Sequence, residues 1–182
     1  VPAVMLALFG CTVLLFDFFL TRTTARKQWL LTISFIGLAF NAAALWKQYA
    51  ALTSEAVSQL TGFGGTIIID HFSLFFNAVF TAASALVLLI AYKFLETSGE
   101  PLAEFCGLVL LAQTGMYFLV TGVDLITAFI GLELMAICFY VLVGFHRTDR
   151  RSNEAGLKYL LLGGFSSGFL LYGFSLLYGL SG

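Results

Sequence analysis

The sequence predicts an all-α membrane protein with six transmembrane helices. Two observations predict this: 60% of the 182 residues are hydrophobic and only 10% are charged, and long apolar stretches recur along the chain. A soluble domain carries roughly a quarter charged residues, so this composition indicates a chain that lies in a bilayer. A segment inside a bilayer must satisfy its own backbone polar groups, which favours helices over open strands.

Six stretches reach the length of about 20 residues that a membrane-spanning helix needs. The joints between the last three stretches are short, so these helices are antiparallel neighbours. The chain has no initiator Met and no polar tail, and we expect it to be truncated at both ends. We expect residues 1–182 to form a single transmembrane domain with helices over about 2–20, 29–52, 71–95, 102–120, 123–145 and 153–180.

The longest connection lies between the second and third helices and contains the run TGFGGTIIID at residues 61–70. Its glycines favour a tight turn and its β-branched residues favour a strand, which predicts a short β-hairpin. Asp70 or Ser73 is expected to cap the third helix.

Lysines and arginines give the orientation of the helices. Cytoplasmic loops carry an excess of these residues, so the loops after helices 1, 3 and 5 are expected in the cytoplasm and both chain ends outside. The opposite side holds only Lys47. The residues on the positive side are Arg22, Arg26, Lys27, Lys93, Arg147, Arg150 and Arg151.

Several functions are excluded or disfavoured. The formal net charge of −1 and the lack of a basic stripe argue against a nucleic-acid partner. Cys11, Cys106 and Cys138 lack the spacing of metal ligands, and we expect them to be small buried side chains. The chain has no motif for a nucleotide, flavin, haem or iron–sulfur cluster, so we expect no cofactor in it.

Glu133 is the main candidate for chemistry. It lies nine residues after Asp124 and twelve before Phe145, close to the bilayer centre at about 1.5 Å rise per residue. A charge there costs about 2.5–3.5 kcal/mol on insertion scales, and a leucine would pack as well, which favours proton transfer as the reason for the acid. The alternative is a neutral carboxyl group that hydrogen-bonds between helices.

Lys158 is the second candidate, and its role is left open. It lies near the start of the sixth helix with Glu154 four residues before it, a spacing typical of an ordinary surface ion pair. Its amine could instead reach the headgroups. The functional hypothesis is a relay amine between the cytoplasm and Glu133, which requires Lys158 to face the bundle interior.

Other polar and small residues carry weaker hypotheses. The amides inside helices 2, 3 and 4 favour interhelical hydrogen bonding over a water wire, His71 favours a surface position, and the two aspartates lie near helix ends. Gly164 and Gly168 form a GxxxG pair, which is typical of close helix packing. The polar residues in question are Asn41, Asn77, Gln113, Asp17 and Asp124.

Two motifs give a family resemblance. The run GLELMAICFYVLVGF at residues 131–145 and the pattern N-E-A-x-x-K-Y-x-L-x-G beginning at Asn153 closely resemble subunit N of the proton-translocating NADH–quinone oxidoreductase, respiratory complex I. The chain is also similar to the matching subunit of the chloroplast and cyanobacterial relative. The resemblance is strongest over residues 124–182 and looser before them.

The resemblance implies a membrane-arm subunit of a translocase that couples electron transfer from NADH to quinone with proton translocation. Glu133 and Lys158 match functional residues of the family, and further helices with central lysines are expected beyond residue 182. The partners implied are other membrane-arm subunits and the lipid of the cell inner (plasma) membrane. Flavin and iron–sulfur clusters are expected in other subunits, with quinone as the substrate of the complex.

Two other functions stay open from the sequence. One is a subunit of an Mrp-type sodium/proton antiporter, which belongs to the same wider family. The other is a purely structural membrane anchor, against which the acid in the middle of the fifth helix argues. The details around Glu133 and Lys158 favour subunit N over the antiporter.

Overall fold

Six α-helices make up most of the protein. The computed structural model describes residues 2–19, 24–54, 59–98 and 100–181, so Leu20 and Arg22 lie outside the described residues. The predicted all-α fold is confirmed. The helices are α1 (Pro2–Phe19), α2 (Thr24–Ser54), α3 (His71–Ser98), α4 (Leu102–Thr121), α5 (Leu125–Val143) and α6 (Arg150–Ser181).

The helix surfaces are those of an integral membrane protein. Five helices have both the length and the apolar composition needed to cross a bilayer, and α1 has a shorter apolar run, Pro2–Asp17. Large hydrophobic side chains are exposed all along them, Ile90 at 75% and Leu162 at 71% among them. Such surfaces are stable only against lipid or further protein. α2, α3 and α6 also continue beyond their apolar stretches into polar residues.

The predicted β-hairpin between α2 and α3 is confirmed. Strands β1 (Leu60–Gly62) and β2 (Ile67–Ile69) pair antiparallel, with Leu60 opposite Ile69. A 3₁₀ turn joins the strands, and Gly64 within it has a φ of 68°, a left-handed conformation that glycine adopts more readily than other residues.

The hairpin holds the joint between α4 and α5. Ile67 forms an isolated bridge with Gly122, and the Val123 N–H donates to the Thr66 carbonyl over 3.0 Å. Ile67 is almost fully buried there, at 2% exposure. The start of α5 is therefore fixed by a long-range contact as well as by its own sequence.

Asp70 and Ser73 together cap α3, as predicted. The Ser73 N–H donates to Asp70 Oδ1 over 2.7 Å, and the Asp70 N–H donates to Ser73 Oγ over 2.9 Å. This reciprocal arrangement satisfies two of the N–H groups that a helix start leaves without partners.

α4 is the central helix of the bundle. It packs against α1, α2, α3 and α5, whereas α6 packs mainly against α5 alone. A Cβ on Gly115 of α4 would lie 2.6 Å from the Gly131 carbonyl oxygen of α5, so the two backbones are in contact there. A Cβ on Gly164 or Gly168 would meet nothing within 4 Å, so no other helix of the described chain packs closely there. The close approach thus occurs at Gly115 and Gly131 instead of the GxxxG pair.

Candidate functional site

Glu133 lies in the middle of α5, eight residues from Leu125 and ten from Val143. The whole of α5 is apolar and long enough to cross a bilayer. A carboxyl group at this depth is far from either interface, which is the position that makes an acid costly.

The face of α5 that carries Glu133 is turned away from α4. Gly131 and Met135 contact the α4 backbone at Gly115. Glu133 is two residues from each of them, or about 200° around a helix with 3.6 residues per turn. The acid therefore does not belong to the tight α4–α5 interface.

Glu133 instead shares a face with two aromatic residues that contact α6. Phe129, four residues before it, packs edge-to-face on Phe174 with ring centroids 6.2 Å apart. Tyr140, seven residues after it, packs on Tyr159 with centroids 5.0 Å apart. These spacings place three side chains on one side of a helix. Glu133 therefore lies on the α6 side of α5, between two aromatic contacts.

α6 accommodates Tyr140 because it has a glycine there. A Cβ on Gly163 would collide with the phenol ring, so that residue must be glycine for the ring to lie flat on α6. The two helices also meet near their loop, where a Cβ on Gly156 would lie 2.9 Å from Gly144 Cα. Sequence reasoning missed both of these contacts, since their partners lie on another helix.

One oxygen of the Glu133 carboxyl group is buried without a partner. Oε1 has no hydrogen bond to any described residue and no contact with solvent. At this oxygen, the described chain therefore lacks the interhelical hydrogen bond that the alternative hypothesis requires.

Lys158 forms the ordinary surface ion pair. Its Nζ lies 2.6 Å from Glu154 Oε1, and the two side chains are 69% and 57% exposed. Lys158 is two residues from Gly156, which touches α5, so it lies on the opposite side of α6. No hydrogen bond or ion pair of the described chain joins Lys158 to Glu133.

A second charged cluster joins α4 to the loop between α5 and α6, and sequence reasoning missed it. His146 Nδ1 lies 2.9 Å from Glu100 Oε1, and Arg147 forms an ion pair with Glu104. The sequence did contain a signal for this cluster. Two acids lie before and within the first turn of α4, and two basic residues lie in the loop between α5 and α6.

The buried amides of the bundle meet at one hydroxyl group. Thr81 Oγ1 accepts from Asn41 Nδ2 over 2.7 Å and from Gln113 Nε2 over 2.9 Å, and it donates to the Asn77 carbonyl over 2.7 Å. α2, α3 and α4 are thus joined by hydrogen bonds near the middle of their spans. This confirms interhelical bonding for Asn41 and Gln113, while Asn77 bonds to Ser73 within α3.

The remaining candidates lie where little chemistry is expected. His71 is exposed, as predicted, and its ring lies 6.3 Å from that of Tyr49. Cys106 and Cys138 are buried, but Cys11 is exposed, so the expectation that all three are buried is wrong for Cys11. An apolar surface facing lipid admits a cysteine as readily as a core does. Within the described ranges, no group of three or more potential metal ligands occurs.

Asp124 begins α5 and is held by hydrogen bonds. Its Oδ1 accepts from the Thr127 N–H over 2.7 Å and its Oδ2 from the Thr127 hydroxyl over 2.8 Å. The backbone N–H of Thr127 is the main cause that holds the pKa of Asp124 below its usual value, followed by the hydroxyl of the same residue.

Sequence comparisons agree on one family. The profile described as "NADH:quinone oxidoreductase/Mrp antiporter, TM" matches residues 122–182. NADH-quinone oxidoreductase subunit N 2 of Solibacter usitatus is 56% identical over the whole chain, which covers 37% of that protein. NAD(P)H-quinone oxidoreductase subunit 2 of Nostoc punctiforme is 40% identical over 98% of the chain and 32% of its own length. The chain thus spans about a third of the curated relatives it matches.

A solved structure supports the fold. A chain of the membrane-bound sulfane sulfur reductase, an archaeal respiratory membrane complex, superposes with a TM-score of 0.69 at 23% identity, over 99% of this chain and 36% of its own. Together with the match to subunit N over the whole of this chain, these observations assign the chain to a family: it belongs to the antiporter-like membrane proteins that include subunit N of NADH-quinone oxidoreductase.

Proposed function

We propose that this chain forms part of the membrane arm of a translocase that couples electron transfer from NADH to quinone with proton translocation. The observation that carries the proposal is Glu133, an acid at mid-span with an unpartnered buried oxygen, in a chain 56% identical to a subunit N. The chain supplies the proton-handling group and no redox centre. Flavin and iron–sulfur clusters belong to other subunits, and quinone is the substrate of the whole complex.

The proposed mechanism is electrostatic. Quinone reduction in other subunits shifts charge along a row of buried acidic and basic groups. A positive charge approaching Glu133 favours its ionised form and releases a proton, and withdrawal of that charge favours reprotonation. Because the residues around Glu133 on α5 are apolar, little in the described chain screens such a charge.

Lys158 is the proposed relay amine of this scheme. Its exposed position supports a role at the entrance, where the amine would have to leave its ion pair with Glu154 before any transfer inward. Lys158 lies on the side of α6 away from α5, whereas Glu133 lies on the side of α5 that faces α6. A proton transfer between them therefore requires groups beyond the described chain. Lys158→Met should therefore slow proton translocation less than neutralising Glu133 does.

The same proposal includes a location and partners. The chain is one transmembrane domain of the cell inner (plasma) membrane, with the Arg147 to Arg151 loop in the cytoplasm and both chain ends outside. Its partners are other membrane-arm subunits. The exposed apolar side of α6, where Phe165 and Phe169 are 69% and 63% exposed, supports coverage by further protein or lipid.

Neutralising Glu133 tests the proposal. Glu133→Gln in the complete complex should lower NADH-driven proton pumping at least tenfold, with the complex still assembled. Glu104→Gln is the control, since Glu104 is an acid of the same bundle that already pairs with Arg147, and it should pump normally. Normal pumping by an assembled Glu133→Gln complex would refute the role of this acid.

A sodium/proton antiporter subunit is the alternative, and the family description that names the Mrp antiporter supports it. Ion movement driven by a sodium gradient without NADH would favour the antiporter, whereas strict dependence on NADH oxidation favours the first proposal. The neighbouring genes give an independent test, because the two systems are expected in different operons.

A further inference from the structure

We infer that Ser167 of α6 is a positioning residue for Glu133, whose ionised carboxylate accepts a hydrogen bond from the Ser167 hydroxyl. This inference rests on the proposed function, because it concerns the charge state of the acid that is proposed to carry protons. It is argued from the register of α5 and α6, from the burial of two neighbouring serines and from the hydrogen bonds that both groups lack.

The register of the two helices places Ser167 opposite Glu133. The antiparallel helices α5 and α6 touch where a Cβ on Gly156 would lie 2.9 Å from Gly144 Cα. Glu133 lies eleven residues before Gly144 on α5. Ser167 lies eleven residues after Gly156 on α6. Eleven residues make about three helical turns, so each side chain returns to the side of its helix that carries the touching glycine. Ser167 therefore faces α5 at the level of Glu133.

Contacts on both sides of Ser167 support this register. Four residues before it, Gly163 lies against the ring of Tyr140. Seven residues after it, Phe174 packs on Phe129 of α5. Helices whose axes are about 8–10 Å apart leave roughly 3–6 Å between facing Cα atoms. A glutamate side chain is long enough to reach a serine hydroxyl across that space.

Burial separates Ser167 from the serine beside it. Ser167 is half-buried, whereas Ser166 is exposed. The half-buried residues nearest to Ser167 along α6 are Gly163, four positions before it, and Leu170, three positions after it. Positions with these spacings share one side of a helix. Ser167, and not Ser166, therefore belongs to the side of α6 that faces α5.

The Ser167 hydroxyl and the Glu133 carboxyl group both have unused hydrogen-bonding capacity. Elsewhere on α6, the hydroxyl groups of Ser175 and Ser181 donate to carbonyls of the preceding turn, over 2.9 and 2.8 Å. No hydrogen bond of the described chain engages Ser167, and Glu133 Oε1 is buried without one. A serine hydroxyl donates one proton, and its bond to a carboxylate is stronger than its bond to a neutral acceptor. Ionised Glu133 is the acceptor that this hydroxyl lacks.

The charged groups of the helices packed against α5 lie elsewhere. α4 is on the opposite side of α5 from Glu133, and its single charged residue is paired near the start of that helix. The charges of α6 lie in its first three turns, at least nine residues or about 13 Å before Ser167. Two tyrosines that face each other across α5 and α6 lie one turn or more toward the loop. The groups concerned are Glu104, Arg150, Arg151, Glu154, Lys158, Tyr140 and Tyr159.

Carbodiimide labelling of the assembled complex tests the inference without relying on proton pumping. Dicyclohexylcarbodiimide is apolar and reacts with protonated carboxyl groups, so labelling of Glu133 at a series of pH values, mapped by mass spectrometry, reports its charge state. Ser167→Ala removes the donor to the ionised form and should extend the labelling about one pH unit upward, the shift expected from one hydrogen bond to a charged group. Ser166→Ala should leave the profile unchanged. Ser167→Thr keeps a hydroxyl and should restore it.

Two results would overturn the inference: a wild-type profile in Ser167→Ala, or an equal shift in Ser166→Ala. Ser167→Gly removes the same hydroxyl and replaces the alanine variant if that variant assembles poorly. The pH profile of NADH-driven pumping should move upward with the labelling. Normal pumping by Glu133→Gln would refute the proposed function whatever the labelling shows. Loss of pumping in Glu133→Gln, with an unchanged labelling profile in Ser167→Ala, would refute the role of Ser167 alone.

Discussion

Two buried polar regions of this molecule differ in how their side chains are partnered. In the first, amides from α2 and α4 donate to a threonine of α3, over 2.7 and 2.9 Å. In the second, Glu133 of α5 has a buried oxygen with no partner among the described residues. Both regions lie near the middle of membrane-spanning helices. One is joined by hydrogen bonds within the bundle, and the other is not.

The difference indicates separate roles. Thr81 donates its only proton to the Asn77 carbonyl, so it can only accept from Asn41 and Gln113, and this fixes both amide nitrogens toward it. Amides do not change charge, so we assign the cluster the role of holding the helices together. Glu133 is the acid for which we propose a change of charge, and its Oε1 has no hydrogen-bond partner among the described residues. The unpartnered oxygens of Asn41 and Gln113 are a cost of the first arrangement.

The largest effect is expected where α5 touches α4. A Cβ on Gly131 would lie 2.6 Å from the Leu119 nitrogen and 2.8 Å from the Gly115 oxygen, both backbone atoms that cannot move aside easily. Gly131→Ala should therefore destabilise the protein by roughly 1–3 kcal/mol, the usual range for overpacking, or more. Thermal unfolding of the full-length protein in detergent measures this.

Gly164→Ala is the matched change on α6, where a Cβ meets nothing within 4 Å. It should alter the melting temperature far less than Gly131→Ala. An equal loss would mean that another part of the assembled protein packs closely on this side of α6, and the contrast between the two interfaces would then disappear.

Removing the shared hydroxyl group is expected to have the next largest effect. Thr81→Val keeps the shape of the side chain but removes the acceptor of two interhelical hydrogen bonds, each worth about 0.6 kcal/mol on average between membrane helices, or about 1 kcal/mol for the pair. Thr12→Val is the control, because Thr12 is exposed and bonds only to Leu8 of its own helix. Equal melting temperatures for the two variants would show that the cluster does not hold the bundle together.

Asp124, at the start of α5, differs from Glu133 because both of its carboxylate oxygens accept hydrogen bonds. Its pKa is lowered by Thr127 in the folded state, so the stability it adds is complete above the unfolded pKa and is lost as the pH falls through the folded value. Asp124→Asn keeps an acceptor at the helix start but does not titrate. The difference in melting temperature between wild type and variant should be constant near neutral pH and shrink below about pH 4. A constant difference down to pH 3 would contradict the assignment.

Sequence reasoning reached the parts of this molecule that local chemistry decides. Composition predicted the helices, the TGFGGTIII run predicted the hairpin, and the residue count along the fifth helix placed Glu133 near its middle. It did not reach what depends on long-range contacts. The convergence of Asn41 and Gln113 on Thr81, and the contact of Gly115 with Gly131, depend on how helices distant in sequence are rotated. The rotation of one helix relative to another cannot be read from a single sequence.

The side of α6 that Lys158 occupies was open for the same reason. Glu154 at four residues before it already favoured the ion pair that the structure has. The side of α6 on which Lys158 lies depends on which residues of α6 meet α5, and those are Gly156 and Gly163. Their small size gave no strong signal in the sequence, because glycine is common in transmembrane helices for several reasons.

The smallest effect is expected for Gln113→Leu, and it tests the comparison most directly. The substitution removes one hydrogen bond to Thr81, worth about 0.6 kcal/mol on average between membrane helices. It also removes the Gln113 oxygen, which is buried without a partner and costs roughly 1–3 kcal/mol. These terms oppose each other, so the melting temperature should change little or rise slightly, and proton pumping by the assembled complex should stay within twofold of wild type. A loss of pumping as large as that of Glu133→Gln, with assembly intact, would mean that the amide cluster also carries protons. The division between a structural and a proton-handling region would then be wrong.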